Sequence, residues 1–264
     1  MLTPFFYTLR NGTFLFASEL SAILEHPAAA ASVSRRSLKK YFAYGYIPAP
    51  NTLYEGIHKL PGGHSLSFDV ASQRIEIHKY WDFVIEPFES VPANAEQAWG
   101  ERLVELLSAA VKRRLMGDVP LGFFLSGGVD SSSVVALAAR HIDRSLIHTF
   151  SIGFEEASFD ESRYSAEMAQ HLGTHHHLDV LSLEKAAALL PDVASKLDEP
   201  MGDASLLPTY LLCKHTRAQV TVALGGDGAD ELFAGYDPFR ALHAAALYAR
   251  YLPQRVLAGI VPVA

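Results

Sequence analysis

The sequence predicts an α/β fold, a parallel sheet with helices on both faces, preceded by a mostly β region. Beyond residue 95, near-continuous apolar runs alternate with stretches whose apolar residues follow helical spacing. Such runs are typical of parallel strands, because crossover helices cover both faces of the sheet. Before residue 83, aromatic-rich segments and an Asn-Gly turn signal instead indicate strands and hairpins.

The N-terminal elements are predicted from turn signals. Asn11-Gly12 within residues 4–18 predicts a β-hairpin, because both central residues of a type I′ turn need positive φ. Residues 37–48 predict a short helix that stops near Pro48. Residues 64–81 predict two more strands joined by a turn.

A linker separates the two regions. Residues 83–94 hold two prolines and little periodicity, which is typical of a connecting segment. Residues 96–115 then place apolar side chains at helical spacing, with charges on the other face. The predicted domains are therefore 1–82 and 95–264.

The second region alternates strand and helix. Strands are predicted over 121–125, 146–154, 175–180 and 220–224, with helices over 131–142, 160–172, 183–197 and 205–218. In open parallel sheets ligands lie outside the carboxyl ends of the strands, beside the topological switch point.

Bulk composition excludes some classes of function. The net charge of -7 disfavours nonspecific binding to nucleic acid. No signal peptide is visible, and the apolar C-terminal stretch is interrupted by Arg250, Pro253 and Arg255, so no membrane span is predicted. The single cysteine, Cys213, fits a reducing compartment and is interpreted as a small apolar residue on a buried helix face rather than a nucleophile. A cytoplasmic protein is expected.

The stretch "SGGVDSS" follows the first strand of the parallel sheet and predicts a pyrophosphate site. Gly127 and Gly128 let the backbone bend sharply and bring its N–H groups close to a ligand. The following helix begins here, and its unpaired amides and dipole favour an anion. Hydroxyl donors are added by Ser126, Ser131 and Ser132.

The stretch has an aspartate where a Walker A loop would have its lysine. Asp130 facing a polyphosphate implies an intervening divalent cation, Mg²⁺, although it could instead only cap the helix. A second acidic, glycine-rich stretch, "LGGDGADELFAGY", follows the last strand and carries Asp227, Asp230 and Glu231. It could be only a turn, but two such loops at adjacent strand ends favour one shared metal between Asp130 and Asp230.

These motifs resemble those of a known family. "FLSGGVDSS" resembles the signature of the PP-loop ATP pyrophosphatases, which cleave ATP between its α- and β-phosphates. Together with "FSIGFEEASFDESRYSAEMAQHLGTHHH", "LDEPMGDASLLPTYLL" and "LGGDGADELFAGY", it resembles the synthetase domain of glutamine-hydrolysing asparagine synthetases. "FASELSAILEHP" and "YGYIPAPNTLYEGIHKLPGGHSL" resemble the end of that family's class II glutaminase (N-terminal nucleophile) domain. The resemblance implies a PP-loop adenine-nucleotide hydrolase-like sheet preceded by a glutaminase remnant.

The resemblance also implies roles for individual residues. It implies that backbone groups of Leu125 and Ile152 contact adenine, and that Gly225 and Gly226 lie near the ribose and the α-phosphate. It implies that pyrophosphate is held by Ser126, Gly127, Gly128, Ser131 and Ser132. It also implies that Asp130 and Asp230 bind magnesium and that Asp227 and Glu231 take part in catalysis. Asp227 is one carbon shorter than the glutamate that many relatives carry there.

The implied reaction is ATP-dependent formation of asparagine from aspartate. ATP activates the side-chain carboxylate as an adenylate and releases pyrophosphate, and ammonia from glutamine then displaces AMP. The implied cofactors are ATP and Mg²⁺, the partners are small substrates (aspartate, glutamine or ammonia, and ATP), and a homodimer is the candidate assembly. Two alternatives stay open: a PP-loop synthetase acting on another carboxylate, as β-lactam-forming synthetases do, and a non-catalytic nucleotide-binding remnant.

Two features of the family are missing from the chain. The family's glutaminase uses an N-terminal cysteine, whereas residue 1 is Met and the cysteine lies mid-chain. The chain also ends before the family's aspartate-binding region and a late catalytic lysine. We therefore expect a fragment truncated at both ends, which neither hydrolyses glutamine nor completes the synthetase reaction.

Two weaker signals complete the sequence. Three consecutive histidines at 175–177 could suggest a metal site, but consecutive residues of a strand point to alternate faces, so satisfied or solvated side chains are favoured. "DEP" at 198–200 resembles a segment lining the family's synthetase cleft, and from spacing alone it is a turn followed by a helix cap.

Overall fold

A computed structural model describes residues 4–29, 31–86, 90–239, 241–242 and 244–245. The chain divides into two compact units. The first unit comprises Met1–Ala93 and Leu183–Tyr210, and the second comprises Asn94–Ser182 and Leu211–Ala264. The predicted domain limits, which assign 183–210 to the C-terminal domain, stay a prediction.

The N-terminal hairpin is confirmed. Strands β1 (Phe6–Arg10) and β2 (Thr13–Ala17) pair antiparallel. Asn11 and Gly12 have φ values of 47° and 75°, which is the positive-φ pair that a type I′ turn requires. A two-residue strand, β3 (His58–Lys59), pairs with the other edge of β1.

Two helices follow the hairpin. Helix α1 (Leu20–Leu24) packs its buried residues Leu20 and Ile23 into the core of the first unit. Helix α2 (Arg35–Tyr44) ends at Gly45, whose φ of 77° gives a left-handed C-cap. The predicted stop near Pro48 was therefore three residues late, because a glycine ends a helix before the proline is reached.

Two further strands complete the N-terminal part of the first unit. Strands β4 (His64–Asp69) and β5 (Arg74–Lys79) pair antiparallel, as predicted. The segment returning to this unit later in the chain contains helix α6 (Leu183–Lys196) and the start of helix α7 (Leu206–Arg217).

The second unit contains the predicted parallel sheet. It begins with helix α3 (Ala95–Arg114) and continues with β6 (Leu121–Phe124), α4 (Val129–Ala138), β7 (His148–Phe154), α5 (Ser162–Leu172), β8 (His175–Leu181), β9 (Val222–Leu224) and α8 (Ala229–Phe233). The four strands are parallel in the order β8-β7-β6-β9. Because β7 and β9 lie on opposite sides of β6, the topological switch point falls between β6 and β9.

Helices cover both faces of this sheet, as predicted. On one face Ser151 of β7 contacts Ser165 of α5, with 3.1 Å between their Oγ atoms. On the other face the ring of Phe150 meets His215 of α7 edge-on, with 6.1 Å between the ring centroids. Phe150 and the neighbouring core residue Phe123 are fully buried.

Helix α3 has the predicted bounds to within a residue, but its apolar face is only partly covered. Trp99, Leu103 and Leu106 are 43%, 37% and 51% exposed, whereas Ala95 and Val111 are buried. Periodicity predicts which side chains share a face, and it does not reveal how much of that face is covered.

No helix within the described part of the chain has both the length and the hydrophobicity needed to cross a bilayer. The C-terminal stretch carrying Arg250, Pro253 and Arg255 lies outside the described residues.

Candidate functional site

Two loops meet at the switch point of the sheet. The first loop, residues 125–132, follows β6, and the second loop, residues 225–231, follows β9. Gly226 lies directly against the start of α4: a Cβ on it would sit 2.7 Å from the amide nitrogen of Ser131 and 2.9 Å from the carbonyl carbon of Asp130. The two motifs singled out in the sequence are therefore neighbours in space.

Hydrogen bonds within the first loop fix its shape. The amide of Ser126 donates to Oγ of Ser131 at 3.1 Å, and the amide of Gly128 donates to Oγ of Ser126 at 3.2 Å. The Ser131 hydroxyl is 3.3 Å from the carbonyl oxygen of Gly128, to which it donates, and 3.0 Å from the Ser126 hydroxyl. Of the three hydroxyls predicted to donate to a ligand, those of Ser126 and Ser131 thus form hydrogen bonds within the loop.

Ser132 differs from the other two serines. Its Oγ is buried and has no hydrogen-bond partner. Buried hydroxyls without a partner are rare, because losing hydration without a replacement bond costs free energy. A phosphate oxygen would supply the missing acceptor.

Gly127 sets the first loop against α5. Its φ is 87°, a conformation that side chains other than glycine adopt only with strain. A Cβ there would lie 2.6 Å from the carbonyl carbon of Tyr164 and 2.7 Å from the amide nitrogen of Ser165. The backbone of the first loop therefore rests directly on the backbone of α5.

The start of α4 offers free amides. Gly128 is the N-cap and contributes no side-chain cap, so the first N–H groups of the helix have no acceptor within it. These amides and the helix dipole favour an anion at this end. Together with the unpartnered Ser132 hydroxyl and the close-packed glycines, they fit a polyphosphate.

The acids of the second loop have different surroundings. Asp227 and Glu231 are exposed, and the carboxylate of Asp230 lies beside Gly235, whose amide donates to the carbonyl oxygen of Asp230 at 3.0 Å. The Tyr236 hydroxyl donates to Oε1 of Glu231 at 2.8 Å. This bond raises the pKa of Tyr236, and the negative charges of Glu231, Asp230 and Asp227 add to the effect.

Tyr236 was not singled out from the sequence. Its only signal is its place at the end of the "ELFAGY" stretch, since a hydrogen bond between residues five apart follows no helical or strand period. The structure adds it to the surroundings of the predicted catalytic Glu231.

No group of three or more His, Cys, Asp and Glu side chains that could hold a metal ion occurs among the described residues. Asp130 and Asp230 as two magnesium ligands stay a prediction. Mg²⁺ commonly takes only one or two carboxylates and completes its shell with phosphate oxygens and water, so a pair of aspartates on touching loops fits its chemistry.

The two residues predicted to contact adenine lie at the same end of the sheet. The last pair between β6 and β7 is Phe124 with Phe150. Leu125 and Ile152 follow these two residues along their strands, in the same direction. The amide of Leu125 donates to the carbonyl oxygen of Phe150 at 2.9 Å. Backbone contacts from both residues to a nucleotide stay a prediction.

The three consecutive histidines point to alternate faces, as expected. His176 is satisfied on both nitrogens: Nδ1 lies 3.0 Å from Oγ1 of Thr149, and Nε2 lies 3.1 Å from Oγ of Ser151. Ser151 bonds in turn to Ser165, the residue against which Gly127 packs. His176 therefore belongs to a buried network behind the first loop, and the prediction that its side chain is satisfied by hydrogen bonds is confirmed.

Acid is expected to destabilise the second unit through His176. Burial, with a contribution from His177, lowers the pKa of His176 below 6.5. The unfolded chain then binds this proton at a higher pH than the folded chain does, so stability falls as the pH drops below about 6.5. In denaturant titrations, His176→Gln should lose less stability than the unmutated chain between about pH 7.5 and about pH 5.5.

The control for this prediction is His171→Gln, which changes an exposed histidine of α5. His171 lies outside the buried network of His176, so this variant controls for the loss of an imidazole elsewhere in the second unit. Equal pH profiles for His176→Gln and the unmutated chain would contradict the prediction.

Cys213 lies on the exposed side of α7, so its prediction as a buried residue was wrong. Leu211 and Thr216 occupy the buried face of that helix, and position 213 points away from it. Partial desolvation of the thiol and the negative charge of Asp227 raise the pKa of Cys213 above its ordinary value.

Alkylation of Cys213 should report on Asp227. Because the thiolate is the reactive form, the half-point of a pH–rate curve with iodoacetamide should exceed 9.0, the ordinary value for this thiol. Asp227→Asn removes the nearby charge and should move the half-point down, whereas Asp118→Asn, at an exposed position, should not. An unshifted curve in Asp227→Asn would show that the carboxylate does not act on the thiol.

Two family models match successive regions of the chain. A sequence model of the family described as asparagine synthase matches residues 102–262. The chain belongs to the asparagine synthase family. A model described as a glutamine amidotransferase domain matches residues 2–81, so the expected order of a glutaminase part followed by a synthetase part is confirmed.

Individual relatives agree with this assignment. A protein described as putative asparagine synthetase [glutamine-hydrolyzing] 2 from Methanocaldococcus jannaschii is 37% identical over 235 residues, which cover 88% of this chain and 45% of the relative. Asparagine synthetase [glutamine-hydrolyzing] 3 from Bacillus subtilis is 34% identical over 260 residues, covering 89% of this chain and 40% of the relative. A protein described as amidase chyE from Penicillium rubens is 30% identical over 250 residues, covering 89% and 36%. The chain thus spans less than half the length of these curated relatives.

Proposed function

We propose that this asparagine synthase family chain carries the ATP-activating site of a glutamine-dependent amidotransferase that forms asparagine from aspartate. ATP is cleaved between its α- and β-phosphates, AMP is transferred to the side-chain carboxylate, and pyrophosphate leaves. Ammonia derived from glutamine then attacks the activated carboxylate and displaces AMP.

One observation carries the proposal: Gly226 of the second loop packs onto Asp130 and Ser131 of the first loop at the switch point of the parallel sheet. This contact supports the proposal, because it brings the amides at the start of α4 close to the second loop, which carries carboxylates. Pyrophosphate departure needs both features, because the leaving group must be held and its charge offset.

The residues of the first loop would hold the β- and γ-phosphates. The amides at the start of α4 have no acceptor within the helix and can bind an anion, to which the unpartnered Ser132 hydroxyl can also donate. Bound Mg²⁺, held by Asp130 and Asp230, would neutralise phosphate charge. Leu125 and Ile152 would present backbone groups to adenine, and Gly225 and Gly226 would lie near the ribose and α-phosphate.

Asp227 and Glu231 would act where the carboxylate is activated. Both side chains of the second loop are exposed, and the hydrogen bond from Tyr236 orients the carboxylate of Glu231. A carboxylate here can orient the incoming ammonia and accept its proton after attack.

The test is the fate of ATP labelled at its α-phosphate in the full-length protein. With Mg²⁺, aspartate and either glutamine or ammonium, AMP, pyrophosphate and asparagine should form in equal amounts. Label appearing in ADP, with orthophosphate released, would overturn the proposal.

A synthetase acting on another carboxylate is the second candidate. The observation behind it is that one relative at 30% identity carries a different description, amidase chyE, so relatives of this chain are not all described as asparagine synthetases. Pyrophosphate release measured over a panel of carboxylic acids separates the two. A faster rate with a carboxylate other than aspartate would support the second candidate.

A further inference from the structure

Residues 198–202, named here the clamp segment, are hydrogen-bonded to three parts of the N-terminal region. All of these contacts lie within the first unit. The clamp segment falls inside the asparagine synthase match, whereas its partners fall inside the glutamine amidotransferase match. The contacts therefore join the two family regions through side chains that sequence spacing assigned to a turn.

Asp198 caps α1. Its Oδ2 accepts from the amide of Leu20 at 2.6 Å, and its Oδ1 accepts from the amide of Ser21 at 2.9 Å. The local N-cap residue, Glu19, makes no side-chain cap bond. The two amides at the start of α1 are thus satisfied by a carboxylate from a distant part of the chain, and charge-assisted bonds of this kind are stronger than neutral ones.

Glu199 is held at two points. Its Oε1 accepts from the amide of Leu53 at 2.6 Å, and its Oε2 forms an ion pair with Nζ of Lys59. Lys59 also donates to the carbonyl oxygen of Ile47 at 2.7 Å. The side chains of Lys59 and Glu199 are only 21% and 12% exposed, so removal of either partner leaves a largely desolvated charge.

A backbone contact completes the clamp. The amide of Gly202 donates to the carbonyl oxygen of Gly45 at 2.7 Å, and a Cβ on Gly202 would lie 3.4 Å from Cα of Gly45. Gly45 is the C-cap of α2. The clamp segment therefore binds at three places: the start of α1, the end of α2, and the 53–59 stretch that ends in β3.

The clamp segment leads along the chain to the proposed ATP site. Helix α7 follows it, then β9, and then the second loop with Asp227 and Glu231. None of the clamp bonds involves a residue of either loop. A substitution in the clamp can therefore alter how the amidotransferase region is held without removing a group proposed to touch ATP.

We propose that Asp198 and Glu199 are positioning residues that couple the amidotransferase region to the synthetase site. This inference rests on the proposed function. Ammonia supplied from solution does not need the amidotransferase region, whereas ammonia generated from glutamine does. Loss of the clamp is therefore expected to impair glutamine-dependent synthesis selectively.

The test compares Asp198→Ala and Glu199→Ala in the full-length protein, with pyrophosphate release measured once with glutamine and once with ammonium. The glutamine-dependent rate should fall by about tenfold or more, because small displacements of positioned groups have effects of that size. The ammonium-dependent rate should stay within about twofold. Asp198→Asn and Glu199→Gln each keep an acceptor oxygen and should recover part of the loss.

The matched control is Glu184→Ala, an exposed acid of α6 in the same returning segment. It should leave both rates unchanged. Hydrogen exchange of the Leu20, Ser21 and Leu53 amides supplies a second readout, and it should accelerate at the first two in Asp198→Ala and at the third in Glu199→Ala.

The outcomes separate the inference from the function. Equal losses with both nitrogen donors, or an unchanged ratio of the two rates despite faster exchange, would overturn the coupling role. Absence of pyrophosphate release with both donors in the unmutated protein would instead overturn the proposed function.

Discussion

Replacing Gly127 by alanine is expected to displace the first loop from α5 and to weaken the ATP binding that we propose for this loop. The new Cβ would lie 2.6 Å from Tyr164 and 2.7 Å from Ser165, in both cases against backbone atoms of α5. Positive φ adds about 1 kcal/mol of strain for a residue with a side chain, and overpacking adds roughly 1–3 kcal/mol. The free energy of unfolding should therefore fall by about 2–4 kcal/mol, measured by denaturant titration.

Two other glycines provide matched controls. Gly128 is in the same loop, has a φ of -67°, and a Cβ there would meet only Oγ of Ser126, at 3.3 Å. Gly100 lies inside α3 with nothing within 4 Å of an added Cβ, and Gly100→Ala should raise stability by about 0.5–1 kcal/mol. If Gly127→Ala and Gly128→Ala unfolded at the same denaturant concentration, contact with α5 would not be what requires glycine at 127.

The second large effect is expected at Asp130, with opposite signs in the presence and absence of magnesium. With Mg²⁺, Asp130→Asn should weaken ATP binding by about tenfold or more, because the charged ligand that we propose for the metal is lost. In EDTA the same variant should bind ATP more tightly than the unmutated chain, since a carboxylate that we propose to face the phosphates has been neutralised. Isothermal titration calorimetry at fixed ionic strength measures both.

Asp118→Asn is the control, because it removes one negative charge at an exposed position outside the two loops. It should change ATP affinity little in either buffer. A loss of affinity in Asp130→Asn that is the same with Mg²⁺ and with EDTA would show that the aspartate holds the helix start rather than a metal.

The elements of the second unit could be predicted because their signals are local. An apolar run bounded by turn residues specifies a buried strand such as β6, and the glycine-rich stretches after β6 and β9 predict loops whose backbone can be closely approached. Since the carboxyl ends of parallel strands lie at one edge of the sheet, and ligands bind at that edge, the two loops could be expected to lie close together. The hairpin at Asn11 followed from the φ values that its turn demands.

What escaped prediction depends on contacts that leave no local pattern. Asp198 and the amide of Leu20 are far apart in sequence, and no periodicity relates a carboxylate to a helix end at such a distance. The pairing of the Ser126 and Ser131 hydroxyls depends on how the loop closes, which residue types do not specify. Gly45 was different, because a glycine at a helix end is a local signal that outweighs a proline three residues later.

The remote cap on α1 limits how this protein can be divided by gene fusion or recombination. A crossover that exchanged only the region matched as an amidotransferase domain would bring in a new α1 and a new Lys59 position while keeping the old Asp198 and Glu199. The exchanged piece would carry a helix whose opening amides depend on the recipient's acids, so compatible chimeras must transfer the 198–202 stretch together with the N-terminal part.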